Sequence, residues 1–219
     1  MDNSELEEFR DNVKKAIAEK DYKTLGRLSN VKNIEKSNLL YQYLHKELRL
    51  NENNIVIREI LGKLSLRKGE FDKARKFFSY VMDKSYDAYN RAYGLIDLAK
   101  VDLYSGRLDD CRKKLDVIRN VDNNDIKRLL YFTLGVVDYY ENNYEIAIDN
   151  FKKSLMYNVK AELDIKYDIY KYIGFCYYKI GKMNDALEYF IKYLDIRGRH
   201  FDPGIVMTIF YICKNNNMQ

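Results

Sequence analysis

The sequence predicts an all-α fold in which antiparallel helix pairs stack into a solenoid. A large aliphatic residue followed by a small one returns four times, at intervals of 37, 36 and 39 residues. A turn former stands seven residues after each small residue, and the chain has a single proline. A period in this range is typical of stacked helix pairs. The four pairs are Leu61-Gly62, Leu98-Ala99, Leu134-Gly135 and Ile173-Gly174, and the turn formers are Gly69, Gly106, Asn142 and Gly181.

The residue types inside one repeat predict how its two helices meet. A small residue such as Gly135 lets the second helix approach to the lower end of the usual ~8–10 Å between axes. Asn142 ends the first helix, because asparagine and glycine tolerate the left-handed conformation. The second helix then carries a small residue, Ala147, and a bulky one, Phe151. We expect the bulky residue to fill the space between neighbouring repeats.

These residues resemble tetratricopeptide (TPR) repeats, and the resemblance covers roughly residues 55–196. It is clearest in Leu61-Gly62…Gly69-Glu70-Phe71…Ala74…Phe78 and in Ile173-Gly174…Gly181-Lys182-Met183…Ala186…Phe190. The proline that often closes such a repeat is absent, and the intervals exceed 34 residues. The resemblance implies a right-handed superhelix whose first helices line a concave, protein-binding groove.

The expected organisation is a single TPR-like domain over residues 1–219. Leu25-Gly26, 36 residues before Leu61-Gly62, suggests a degenerate first repeat, and Asp202-Pro203 is typical of a helix start. The expected segments are an N-terminal capping helix at 1–20, a degenerate repeat at 21–54, clear repeats at 55–91, 92–127, 128–166 and 167–199, and a C-terminal capping helix at 202–214.

Composition narrows the class of protein. The acidic N-terminus lacks the apolar stretch of a secretory signal, and the longest apolar run, Gly204–Cys213, is too short to span a bilayer. We therefore expect a cytoplasmic protein that does not enter a membrane.

Three cysteines on predicted helices are interpreted as reduced core thiols, with a reactive or metal-binding cysteine as the alternative. They are Cys111, Cys176 and Cys213.

No catalytic or cofactor motif is present in the sequence. The only two histidines, His45 and His200, are far apart, and no zinc-ligand spacing, phosphate-binding glycine loop or nucleophile elbow occurs. We predict a protein that is not an enzyme and that has no metal or cofactor.

Positive charge is concentrated in the first clear repeat. Residues 55–91 contain nine basic and five acidic side chains, whereas residues 1–54 contain ten of each. A surface for duplex DNA is usually stronger and more continuous. We therefore expect no direct nucleic-acid partner.

The candidate binding site is the concave wall of the superhelix. Its residues are predicted by counting the same numbers of positions before and after the small residue of each repeat. The wall is expected to be basic toward the N-terminal half and aromatic toward the C-terminal half, which suits a peptide segment with acidic and apolar residues. Any single tyrosine could instead be a packing residue. The predicted groove residues are Lys63, Arg67, Lys100, Tyr104, Phe132, Val136, Tyr139, Tyr140, Lys171, Phe175, Tyr178 and Lys179.

Two other functions stay open from the sequence. The long repeats favour a peptide-pheromone-responsive bacterial regulator, although no separate DNA-binding helix-turn-helix precedes the repeats. The apolar Gly204–Cys213 segment favours self-assembly into a homo-oligomer. The primary interpretation is a non-catalytic scaffold or adaptor that recognises a partner segment in its concave groove.

Overall fold

A computed structural model describes residues 3–157, 163–197 and 202–216. All regular secondary structure in these residues is α-helical, which confirms the predicted class. The helices are α1 (Asn3–Ala18), α2 (Tyr22–Leu28), α3 (Ile34–Leu50), α4 (Ile55–Arg67), α5 (Phe71–Lys84), α6 (Ala88–Tyr104), α7 (Leu108–Val117), α8 (Asn124–Tyr140), α9 (Tyr144–Met156), α10 (Leu163–Lys179), α11 (Met183–Arg197) and α12 (Pro203–Asn216).

Contacts divide the chain into two compact units, Met1–Cys111 and Arg112–Gln219. In the first unit α1 packs on α2 and α3, α3 packs on α4, and α4 and α6 both pack on α5. In the second unit α8 pairs with α9, α10 pairs with α11, and α12 packs on α11. Each unit is thus built of neighbouring helix pairs, as the repeat predicts. The expectation of a single domain over 1–219 stays a prediction.

The turn between the two helices of a clear pair has a left-handed middle residue. At Gly69, φ is +73°. The N–H of Gly69 donates to the carbonyl of Leu66 at 3.0 Å, and the N–H of Glu70 donates to the carbonyl of Ser65 at 2.9 Å. These bonds satisfy carbonyls that the end of α4 would otherwise leave unpaired. The predicted turn positions are confirmed, because positive φ and the same two bonds recur at Gly106, Asn142 and Gly181.

The helix crossing in three pairs is a glycine covered by a phenylalanine ring. A methyl group at Gly135 would lie 2.7 Å from the ring of Phe151, well inside the ~3.5–4.0 Å of a carbon–carbon contact. The predicted close approach is therefore confirmed. The expected role of the bulky residue is also confirmed, because Phe151 stacks on Tyr172 of the next first helix, with ring centroids 5.3 Å apart, while it covers the glycine of its own pair. The same contact occurs between Gly62 and Phe78 and between Gly174 and Phe190.

The first helices start earlier than the predicted repeat boundaries. Asp87 and Asn123 are the N-caps of α6 and α8, and their side-chain oxygens accept bonds from backbone N–H groups at 2.8 and 3.1 Å. The boundaries drawn at 92, 128 and 167 fall inside helices, four residues after each helix begins. A short polar side chain that caps a helix fixes its start, and these caps lie upstream of the repeating apolar pattern.

The degenerate first repeat is arranged differently from the prediction. Lys20 has φ +53°, and Asp21 donates from its N–H to the carbonyl of Ala16, so the left-handed turn joins α1 to the short α2. Gly26 lies within α2, with nothing within 4 Å of the position that a methyl group would take. Gly26 is therefore not a helix crossing, and its spacing from Gly62 is misleading.

Helix α12 covers the end of the last helix pair on one side only. Ile205 and Ile212 are buried in a cluster with Phe190 of α11. Met207 and Phe210 are 66% and 64% exposed. The helix thus closes the apolar core of the second unit and leaves an apolar face outside.

Buried carboxylates tie first helices to arginines of preceding second helices. In the first unit, the carboxylate of Asp102 accepts from Arg75 at 2.6 Å and from Arg107 at 3.0 Å. In the second unit, Asp138 accepts from Arg112 at 2.5 Å. Each aspartate lies three residues after the small residue of its repeat, so these pairs recur with the fold's own period. The hydrogen bond to Glu141 and the pair with Asp138 raise the pKa of Arg112.

We predict opposite effects of the same substitution at two glycines. Gly135→Ala should lower the free energy of unfolding by about 1–3 kcal/mol, because the buried ring of Phe151 has little room to move. Gly26→Ala should raise it by about 0.5–1 kcal/mol, because the helix gains propensity and the added methyl meets nothing. Urea denaturation of both variants measures the difference. Equal effects would contradict the crossing at Gly135.

We predict that Asp138→Ala lowers the free energy of unfolding by about 2–3 kcal/mol. Breaking a buried ion pair costs about 3–5 kcal/mol. The expected loss of stability is smaller here because Arg112 keeps its salt bridge to Glu141 in the variant. The matched control is Asp149→Ala on the exposed side of α9, which should change stability by less than about 0.5 kcal/mol. Thermal melts compare the two, and similar Tm values would contradict the prediction.

Candidate functional site

The predicted cations of the first unit all have partners within the chain. Lys63 Nζ lies 2.5 Å from Glu59 Oε1, and Lys100 Nζ lies 3.4 Å from Asp97 Oδ1. The guanidinium of Arg67 donates to the backbone carbonyl of Ser29. Partial burial lowers the pKa of Arg67, which nevertheless stays charged because its ordinary pKa is so high. The first helices of this unit therefore present paired charges rather than the free basic wall that was expected.

A groove lined by tyrosines lies between α4, the α5–α6 turn and α6. Its volume is about 590 Å³. The hydroxyl groups of Tyr89 and Tyr93 are 3.1 Å apart, and their rings meet edge to face with centroids 4.9 Å apart. Tyr86 is 99% exposed at the rim. The acidic residues that line the groove are Glu59, Asp87 and Asp97.

In the second unit, much of the predicted aromatic wall is packing. Val136 is only 2% exposed and lies in the core, so its side chain offers nothing to a ligand. Phe132 and Tyr139 are half-buried against Tyr172 of α10, with ring centroids 6.2 and 5.3 Å away. Burial raises the pKa of Tyr139, which keeps its hydroxyl neutral. Tyr140, in contrast, is exposed.

The predicted residues of α10 divide in the same way. Phe175 packs edge to face on Phe190 with centroids 5.1 Å apart, and Tyr178 packs against the same cluster. Lys171 pairs with Asp168 at 3.4 Å. Lys179 is exposed at the end of the helix. The most accessible of the predicted groove residues are Lys63, Arg67, Tyr104, Tyr140 and Lys179.

Known proteins share this arrangement of helix pairs. No family model matches the chain. A TPR repeat-containing protein of Methanocaldococcus jannaschii is 26% identical over 189 residues, which are 80% of this chain and 29% of that protein. The Cut9–Hcn1 hetero-tetramer of the APC/C contains a chain that superimposes with a TM-score of 0.71 at 14% identity, covering 84% of this chain and 34% of that chain. The chain has the tetratricopeptide-repeat fold.

A second solved structure, that of another TPR protein, is matched over nearly the whole length of that protein's chain. A thermophilic TPR protein of Thermus thermophilus superimposes with a TM-score of 0.64 at 14% identity, covering 82% of this chain and 92% of that one. The TPR resemblance read from the repeats is thereby confirmed. The chain spans about a third or less of the length of the archaeal relative and of the APC/C chain.

Sequence reasoning missed the tyrosines in the first turns of α6 and on the turn that precedes it. Tyr86, Tyr89 and Tyr93 lie outside the offsets that were counted from Ala99. The sequence did contain a signal for these tyrosines. Tyr86 and Tyr89 are three residues apart, and Tyr89 and Tyr93 are four residues apart, which places the last two on one face of a helix. The offsets assumed that lining residues lie only near the middle of each first helix.

The described residues hold few groups suited to catalysis or metal binding. Among residues 3–157, 163–197 and 202–216, no group of three or more His, Cys, Asp or Glu could hold a metal ion. His45 is half-buried beside the ring of Tyr41, and His200 lies outside the described residues. None of the described helices has the length and apolarity that crossing a membrane requires.

The three cysteines occupy two kinds of environment. Cys111 and Cys176 are buried, as expected of core thiols, and burial raises the pKa of Cys176 to about 12. Cys213 is exposed on α12, so its assignment to the core is wrong. The exposed position lies on the outer face of α12, where Met207 and Phe210 are exposed too.

We predict that one thiol per native chain reacts rapidly with an aromatic disulfide reagent. The reactive thiol should be Cys213, because at pH 8 only about one Cys176 side chain in ten thousand is ionised and burial shields it. Denaturant should release the other two thiols. Absorbance of the released thiolate counts them, and Cys213→Ser should abolish the rapid phase. Rapid labelling in that variant would contradict the burial of Cys111 and Cys176.

Proposed function

We propose that this chain is a non-catalytic protein-interaction module that binds a peptide segment along its first helices. One observation carries the proposal. Every exposed tyrosine lies on a first helix, on the turn before one, or on α12, and none lies on α3, α5, α9 or α11. The exposed tyrosines are Tyr86, Tyr89, Tyr104, Tyr140 and Tyr211.

Tyrosine is suited to anchoring a partner. Its ring supplies a large contact area at the cost of only two side-chain torsions, and its hydroxyl finds a hydrogen bond at a wet interface. A random distribution would place exposed tyrosines on second helices too. Their restriction to one set of helices supports a shared binding role for that set.

The ion pairs of Lys63 and Lys100 change which kind of partner segment we expect. Because Lys63 and Lys100 already pair with Glu59 and Asp97, a carboxylate from a partner must compete with a neighbour on the same helix. The exposed Lys63–Glu59 pair is worth only about 0–1 kcal/mol, so an exchange of its partner costs little. Asp97 is buried, so taking Lys100 from it leaves a buried carboxylate without that partner and costs more. We propose that apolar and aromatic contacts supply most of the affinity. The preference for acidic residues stays a prediction.

We also propose that the protein acts in the cytoplasm. None of its three cysteines is in a disulfide, and two of them are buried. Free thiols persist in reducing compartments, whereas secreted proteins usually pair them.

Self-association through α12 is a second candidate, favoured by the exposed Met207 and Phe210. Light scattering of the parent and of Phe210→Glu tests it, since a polar residue there should abolish any dimer and leave a monomer unchanged. A dimer that persists in Phe210→Glu would contradict this role for α12. The peptide-responsive regulator rests on repeat length alone and stays a prediction.

The test of the main proposal begins with peptides selected from a random library on the purified parent protein. The binding variant is Tyr89→Ala with Tyr104→Ala and Tyr140→Ala. We expect its Kd for the selected peptides to rise at least about tenfold, because truncating an aromatic anchor commonly costs about 1 kcal/mol or more. Isothermal titration measures Kd.

The control removes a similar apolar area from second helices by Ile146→Ala, Met156→Ala and Ile191→Ala. These side chains are exposed, so the control should keep the parent's affinity and fold. Equal loss in both variants, or failure of the parent to select any peptide, would overturn the proposal. Circular dichroism confirms that each variant is folded.

A further inference from the structure

A strongly basic groove lies on the first unit, away from the tyrosine groove. Its main cavity, of about 770 Å³, lies between α3 and α5 with Arg58 of α4 beside it. An adjoining cavity of about 500 Å³ lies between α1 and α3. The two share Gln42 and Lys46 of α3, so they adjoin, and we call them together the basic groove.

The lining of the basic groove contains cations and no carboxylate. Neither cavity has an aspartate or glutamate among its described lining residues. This one-sided lining is unexpected in a chain with 33 acidic residues against 38 basic ones. The lining cations are Lys46, Arg49, Arg58, Lys73 and Lys76 in the main cavity, with Arg10 and Lys14 in the adjoining one.

Three of these cations are free to bind an anion. Within the described part of the chain, Lys46, Arg49 and Lys76 have no carboxylate partner. Arg10 and Lys14 form only exposed pairs at 3.9 and 3.6 Å, which are worth little. Like charges held together without partners repel one another, and a bound anion relieves that repulsion.

Arg58 is held in place before any ligand arrives. Its guanidinium lies over the ring of Tyr80 with 3.8 Å to the centroid. Its Nε and Nη2 donate to the carbonyl of Glu52 at 3.0 and 2.7 Å. A fixed guanidinium loses less entropy on binding a carboxylate than a free one does.

Aromatic residues in the groove are not available for stacking on bases. The ring of Tyr41 is already covered by the ammonium group of Lys68, 4.4 Å from its centroid, and neighbours the imidazole of His45 at 5.9 Å. Phe77 packs against the core of the unit. Single-stranded nucleic acids are usually held by open aromatic faces as well as by charge. The groove therefore fits carboxylates better than nucleotides.

We propose that the basic groove binds an extended acidic peptide segment of about six residues. The path from α1 across α3 to α5 covers two helix spacings of ~8–10 Å each, and an extended chain advances ~3.3 Å per residue. The site lies on residues that the tyrosine surface does not use, so it goes beyond the proposed function and stands without it. Three of the nine basic residues of 55–91, Arg58, Lys73 and Lys76, line it.

The experiment measures binding of a fluorescent hexaglutamate peptide to the full chain by anisotropy. The groove variant is Lys46→Glu with Lys76→Glu. The control variant is Lys23→Glu with Lys32→Glu, which makes the same change in net charge at exposed positions of the same unit. At about 50 mM salt, where screening is weak, we expect the groove variant to bind at least about tenfold more weakly and the control to stay within about threefold.

Every other result counts against the proposal. No binding of hexaglutamate by the parent, or equal loss in the two variants, would show that the groove is not an anion site. A thymidylate hexamer serves as the second probe. If it binds the parent more tightly than hexaglutamate and loses affinity in the groove variant, the surface recognises nucleic acid and the peptide assignment is wrong. Thermal melts verify that both variants fold, and Lys46→Gln with Lys76→Gln should give an intermediate affinity.

Discussion

In each of three helix pairs, a phenylalanine ring lies directly on a glycine of the partner helix. The contact between Gly135 and Phe151 leaves no space for a methyl group, and it determines how closely the two helices approach. The three-residue turn must then bring the chain back at that separation, which the left-handed middle residue allows. Once the helix crossing and the turn are fixed, the direction in which each side chain of the helix pair points is fixed as well. Asp138 and Tyr140 on α8 take their positions from this contact, and Arg58, Lys73 and Lys76 take theirs from the equivalent contact between α4 and α5.

The period of the sequence predicts this part of the fold because crossing and turn depend on residues within one repeat. Spacing alone fails where a residue type recurs for another reason. Gly26 has the predicted interval from Gly62, yet nothing lies within 4 Å of the position that a methyl group there would take, so no helix crosses at this residue. The repeat boundary at 55 coincides with the start of α4, whereas those at 92 and 128 lie four residues inside α6 and α8, because the capping side chains of Asp87 and Asn123 lie upstream of the apolar pattern. A period in apolar residues contains no information about such caps.

The candidate site was less predictable, because side-chain partners are set by helices far apart in sequence. The offsets placed Val136 on a groove wall, whereas packing within the second unit buries it. They also placed Lys63 on a basic wall, without accounting for Glu59 one turn earlier on the same helix. The local excess of positive charge in residues 55–91 was expected on the concave wall, and part of it lies elsewhere in the structure. Arg58, Lys73 and Lys76 face the groove between α3 and α5, and that direction follows from helix phase rather than from composition.

The first unit thus separates two chemistries onto two sets of helices. Tyrosines, with paired charges beside them, line the groove between α4 and α6. The groove flanked by α3 and α5 is lined by cations, of which Lys73 pairs with Glu70 and Lys46, Arg49 and Lys76 have no carboxylate partner among the described residues. The separation has an energetic reason. Free cations next to the tyrosines would draw any acidic segment onto the surface that uses apolar contacts, and pairing Lys63 and Lys100 with Glu59 and Asp97 reduces that competition. With those pairs in place, the two proposed binding surfaces offer different chemistry, paired charges beside tyrosines on one and a lining without carboxylates on the other.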